Sequence, residues 1–138
     1  MKARQYQYQN EHPNIPQWYE DIASTSSGEF SAKHVNDAVE GKQHGGFLYC
    51  TDDDEVVGLF ICTVVEVADG SGQLVILGAA GSVLHDWEEA DSLLNELAVH
   101  YGCSSLSIRG RKGFAKVFKQ YGWEQQYVVL SRPVRPLE

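Results

Sequence analysis

One stretch of this chain, residues 55–67, constrains the fold more than any other. It holds Val56, Val57, Leu59, Phe60, Ile61, Cys62, Val64 and Val65 with almost no polar interruption. An apolar run of that length, rich in β-branched residues, reads as a central strand buried on both faces. Asp69-Gly70-Ser71-Gly72 follows as a hairpin turn, and Leu74-Val75-Ile76-Leu77 as the antiparallel return strand. A sheet buried on both faces needs helices to cover it.

The rest of the sequence supplies them. Ile15, Trp18, Tyr19 and Ile22 recur at helical spacing and predict a helix near 16–24, entered through Pro13 and Pro16. Ser31 is placed to cap a second helix that carries Val35 and Val39 on one face and stops at Gly41. Gly46-Phe47-Leu48-Tyr49-Cys50 reads as a short strand. The strongest helical pattern spans 86–101, with Trp87, Ala90, Leu93, Leu94, Leu97 and Tyr101 on one face. Glu88, Glu89 and Asp91 sit in its first turns, where the helix dipole favours carboxylates, and Gly102 ends it. Ser105-Leu106-Ser107-Ile108 is then a strand reached by a helical crossover, which implies parallel pairing. A short helix over 111–121, with Phe114, Val117, Phe118 and Tyr121 inward, and a last strand over 123–131 complete the order. The expected fold is α/β (α+β): a mixed, twisted sheet with an antiparallel meander, a parallel strand–helix–strand crossover and flanking helices. Residues 1–13 are polar and read as an arm that orders only where something holds it; residues 14–138 read as one domain. A chain of 138 residues with 43% apolar content fits a single domain with a sizeable core.

Several function classes are excluded on the same ground. No apolar run approaches the length of a membrane span, and the N-terminus lacks the apolar stretch of a signal peptide, so a soluble cytoplasmic protein with no membrane partner is expected. Cys50, Cys62 and Cys103 form no Cys-x-x-Cys, and the five histidines show no paired ligand spacing, so no metal is expected. Asp52-Asp53-Asp54 reads as a solvated turn, because the alternating ligands of a calcium loop are missing. Net charge is −8, unevenly placed: residues 1–108 carry 17 acids against 4 bases, and residues 109–138 carry 2 acids against 7 bases. The acidic part argues against nucleic acid as a partner. The basic part, with Arg109, Arg111, Lys112, Lys116 and Lys119, suits a phosphorylated ligand or, equally, a solvated helix face.

The element order and local sequences together resemble the GNAT N-acetyltransferase superfamily, from about Ser31 onward. The best single marker is Phe118-Lys119-Gln120-Tyr121-Gly122-Trp123, similar to the superfamily's last helix ending in Gly-aromatic. The chain is more similar still to short GNAT-like proteins encoded by tailed bacteriophages. That resemblance rests on Trp87, Gly102-Cys103, Gly110-Arg111-Lys112-Gly113-Phe114 and Tyr127-Val128-Val129-Leu130-Ser131-Arg132-Pro133. It implies that the two parallel strands splay and that acetyl-CoA lies in the gap. Its pyrophosphate would meet the backbone of Gly78, Ala79, Ala80, Gly81 and Ser82, with Arg111 supplying charge. The plainer reading of Gly78-Ala79-Ala80-Gly81 is a tight strand-to-helix turn.

Catalytic residues are not assigned. The Gln or Arg that opens the superfamily's pyrophosphate signature is absent, and Val83-Leu84-His85 separates the glycines from the helix. The return strand from Gln73 to Leu77 holds no carboxylate to act as a base, and counting back from Gly122 puts Phe118 where many members carry a proton-donating tyrosine. Two functions stay open. One is a non-catalytic binding or virion-morphogenesis component with a degenerate acetyl-CoA site, located in the host cytoplasm or the virion, whose partners are phage structural proteins or further copies of itself. The other is an active N-acetyltransferase acting on a small or protein amine by proximity and backbone polarisation of the thioester. The alternating Gln5-Tyr6-Gln7-Tyr8-Gln9-Asn10 suits addition to a sheet edge, or is a plain polar tail.

Overall fold

The computed structural model describes residues 2–5, 13–24, 31–40, 45–51, 53, 55–81, 87–108, 116, 118–126, 130 and 132–137. Among these residues the frame is a five-stranded sheet in the order β1-β2-β3-β4-β5, formed by β1 (Lys2–Gln5), β2 (Gly45–Cys50), β3 (Val56–Glu66), β4 (Gly72–Gly81) and β5 (Cys103–Ile108). Each of the first three strands lies antiparallel to the next, and β5 joins β4 in parallel. The helices are α1 (Ile15–Ser24), α2 (Ala32–Glu40) and α3 (Trp87–His100), and α3 is the crossover between the parallel pair. This is the mixed α+β architecture that the order of elements implies.

Strand alternation sorts the core into two layers. Phe47 and Tyr49 of β2, Phe60 and Cys62 of β3, and Leu74 and Ile76 of β4 pack against Ala90, Leu93, Leu94, Leu97 and Ala98 of α3. The residues between them, Leu48, Cys50, Leu59 and Ile61, face α1 and α2 and meet Ile15, Trp18, Tyr19, Ile22 and Val35. The sheet is thus covered on both sides, as the β3 sequence demands. Cover ends before β3 does: Val64 is 47% exposed and belongs to neither cluster, so the β3–β4 hairpin projects beyond the helices.

Local chemistry sets the element ends. The Ser31 hydroxyl accepts the His34 backbone N–H at 3.1 Å and so caps α2. In the β3–β4 turn, the Asp69 carboxylate accepts from both the hydroxyl and the backbone N–H of Ser71, which holds its carboxyl below its usual value. Gly70, at φ 85, supplies the left-handed turn residue. Residues 2–5, the start of the expected arm, are held by β2, from Lys2↔Cys50 to Gln5↔Phe47.

Three expectations change. The return strand runs through Gly81 rather than ending at Leu77, because β3 continues to pair with it as far as Gly58↔Gly81. Tyr101 lies on the rim of the α3 face rather than within it, half in water, with its ring edge-on to Phe47 at 5.9 Å. In the expected last strand, Trp123, Glu124, Gln125, Gln126 and Leu130 are not strand, and Leu130 is 89% exposed, so its own burial does nothing to favour a strand. Residues 127–129 and 131 of that segment lie outside the described residues, as do 111–115 and 117 of the last helix. Lys116 and Phe118 are helical, followed by a 3-10 turn, Lys119–Tyr121, closed by Gly122 at φ 89.

Candidate functional site

β5 pairs with β4 from Gly72↔Cys103 to Ile76↔Ile108, the whole described length of β5, and β4 continues beyond it to Gly81. Over residues 77–81, β4 pairs with β3 alone among the described residues. A bulge follows directly: Ile61 and Cys62 of β3 stand opposite Gly78 and Ile76, so Leu77 is an extra residue on β4. A bulge bends its strand and increases the local twist.

The bulge also resets which face each side chain takes. Ile76 packs in the α3 layer and Ala79 at its margin, whereas Leu77 and Ala80 pack with the α1–α2 layer. A Cβ built on Gly78 would lie 2.5 Å from Ile22 Cγ2 of α1, so Gly78 faces that same layer. Leu77 and Gly78, though consecutive, therefore share a face. At the far end of β4, Gly81 has φ 94, and a Cβ there would sit 2.5 Å from the Val57 carbonyl oxygen and 2.6 Å from Gly58 Cα. Only glycine fits so close an approach of two strands.

Residues 77–81 offer no acid or base; what they present is backbone, flanked by small side chains. Past Ile76 the β4 edge has no described strand beside it, and edge N–H and C=O groups are ready partners for an extended, amide-bearing ligand. The pantetheine arm of CoA is such a ligand, and the residues present fit it. Of the sequence-derived site residues, Gly78, Ala79, Ala80 and Gly81 come together on this segment as strand, not as a turn. Ser82 and Arg111 lie outside the described residues, and so do His85, Arg109 and Lys112.

Phe118 is not at a reactive surface. It is 1% exposed, with its ring 5.0 Å from Trp87 at 75° and 5.2 Å from Trp123 at 43°. The Trp123 indole N–H donates to Asp91 Oδ1 at 2.6 Å, which ties this aromatic group to the second turn of α3. Trp87 and Trp123 themselves are half-buried. Cys62 is equally inert, since burial pushes its thiol up to about 12. Among the described residues no three His, Cys, Asp or Glu side chains gather as a metal site would require, and no helix is long and apolar enough to cross a membrane.

Solved structures share this arrangement. A probable acetyltransferase superposes with a TM-score of 0.68 at 14% identity, over 99% of this chain and 100% of its own. An acetyltransferase from Trypanosoma brucei gives 0.64 at 10% identity, over 96% and 99%. The fold is that of the GNAT acetyltransferases. An aminoglycoside acetyltransferase from an uncultured soil metagenomic sample has the same GNAT fold, with a TM-score of 0.60 at 12% identity over 98% of this chain and 100% of its own. No family profile and no curated protein matches the sequence.

Sequence reasoning did not find Leu77 as a bulge or Ile22 as its neighbour. A glycine inside a strand pattern, here Gly78, is the signal that marks a bulge or a close approach.

Proposed function

We propose that this GNAT-fold chain binds acetyl-CoA along residues 77–81 of β4 and serves as a non-catalytic binding component. The observation that carries the reading is the Leu77 bulge, just past the last described β4–β5 pair, where among the described residues no strand lies along that edge of β4. When bound, acetyl-CoA supplies a thioester-activated acetyl group. The small residues Gly78, Ala79 and Ala80 let an extended ligand approach the strand, and backbone N–H groups there are suited to a carbonyl oxygen. Ser82 and Arg111 remain the residues proposed for the pyrophosphate.

Two features favour binding over transfer. The position expected to hold a tyrosine is Phe118, sealed between two tryptophans, and residues 73–77 carry no carboxylate. The resemblance to short phage-encoded proteins, residing in sequence alone, supports a role in virion morphogenesis among phage structural proteins or copies of itself. The second reading is N-acetyl transfer to an amine. It is favoured by the named activity of the structural neighbours and by the available β4 backbone. Positioning alone contributes up to ~7–11 kcal/mol to such a step.

Calorimetric titration with acetyl-CoA and a free-thiol release assay against a panel of amines separate these. The binding reading expects saturable acetyl-CoA binding and no amine-dependent thiol release. Robust release would establish transfer in its place, and absence of binding at millimolar acetyl-CoA would remove both.

A further inference from the structure

Resting on the proposal that acetyl-CoA lies along β4, we propose that Ile22 of α1 limits the acyl group at this site to two carbons. Ordinary alternation would put Gly78 on the α3 side, next to Ile76 in spacing. The extra residue Leu77 turns it to the α1–α2 side instead, just past the last described β4–β5 pair. Gly78 has no side chain to fill the space it faces. Ile22 fills it: Cγ2, Cγ1 and Cβ would lie 2.5, 3.2 and 3.4 Å from a Cβ on Gly78. Ile22 is itself buried, 3% exposed, among Trp18, Tyr19 and Leu59 of the same cluster, so it has nowhere to withdraw.

An acyl thioester whose carbonyl is held by the β4 backbone near Leu77 must send its chain to one face of the sheet. On the α3 side, Ile76 and Leu94 are close-packed. On the other side, the space that a Cβ on Gly78 would take is occupied by the Ile22 side chain of α1. A methyl group needs none of that room. Each further methylene competes with the Ile22 side chain. Removing the three outer carbons of Ile22 would leave an apolar space of matching size, and each methylene that enters such a space tightens binding about fourfold.

The test is calorimetric titration of the full chain with acetyl-, propionyl- and butyryl-CoA. The wild type should bind acetyl-CoA at least as tightly as butyryl-CoA. Ile22→Ala should reverse the order, favouring butyryl-CoA by roughly tenfold. Ile22→Val, which removes only Cδ1 and keeps the Cβ, Cγ1 and Cγ2 that face Gly78, should keep the wild-type order, as should Val35→Ala in the same cluster but on α2. A folded Ile22→Ala variant that binds acetyl-CoA but keeps the wild-type order overturns the role of Ile22 and leaves the binding site standing. A wild type that prefers butyryl-CoA does the same. Failure of every protein to bind any of the three thioesters overturns the site itself, and this inference with it.

Discussion

At the scale of single residues, the sharpest demands fall on glycines and on one buried thiol. Gly81 and Gly122 both have φ near +90°, but a Cβ on Gly81 would strike the Val57–Gly58 backbone while one on Gly122 would meet nothing within 4 Å. Gly122→Ala should therefore cost only the backbone strain, ~1–2 kcal/mol. Gly81→Ala should cost clearly more, about 3 kcal/mol or above, since β3 and β4 must separate. Urea denaturation midpoints of the two variants check this order. Cys62 gives a pH dependence of known sign. Its folded-state value, about 12, lies above the ordinary 9.0, so the folded state favours the protonated thiol. The resulting stabilisation is complete below about pH 9 and is lost as pH rises toward about 12. Cys62→Ala should flatten that alkaline decline, measured as melting temperature against pH. Phe118→Tyr would push a hydroxyl into the packed space between Trp87 and Trp123. It should lose ~1–3 kcal/mol of stability and gain no acetyl transfer, as thermal melts and a thiol-release assay would show.

At the scale of elements, amphipathic pattern was enough to place the helices. The α1 face, Ile15, Trp18, Tyr19 and Ile22, is buried in full, and so are Leu93, Leu94 and Leu97 of α3. Leu94→Ala should cost ~2–5 kcal/mol, whereas Val99→Ala, on the exposed side of the same helix, should stay within about 0.5 kcal/mol; equilibrium unfolding of both tests the assigned face. The sequence periodicity of β3 also foretold a strand covered on both sides. What could not be read was the length of β4. Gly78-Ala79-Ala80-Gly81 has weak strand propensity and the composition of a turn, and only pairing with β3 makes it strand. The bulge at Leu77 is a property of two strands in register: Gly78 marks an irregularity in the sequence, but only the pairing with β3 shows that Leu77 is the extra residue. Leu130, at the end of the apolar run Tyr127-Val128-Val129-Leu130, shows the converse: the run has strong strand propensity, yet Leu130 itself is not strand and stands in water.

At the scale of the whole molecule, the fold and the site have different origins in the sequence. Two apolar layers and one central strand fix a covered mixed sheet, and that much was legible. The candidate site is a defect in the sheet's regularity, where β4 carries an extra residue just past its last described pair with β5. The proposed function requires acetyl-CoA to lie there. The most direct measurement is a titration of isotopically labelled full-length protein with acetyl-CoA, following backbone amide resonances. The account predicts saturable shifts concentrated at Leu77, Gly78, Ala79 and Ala80, with the β3–β4 hairpin around Asp69 unmoved. Saturable shifts located elsewhere, or no shifts at millimolar acetyl-CoA, would contradict it.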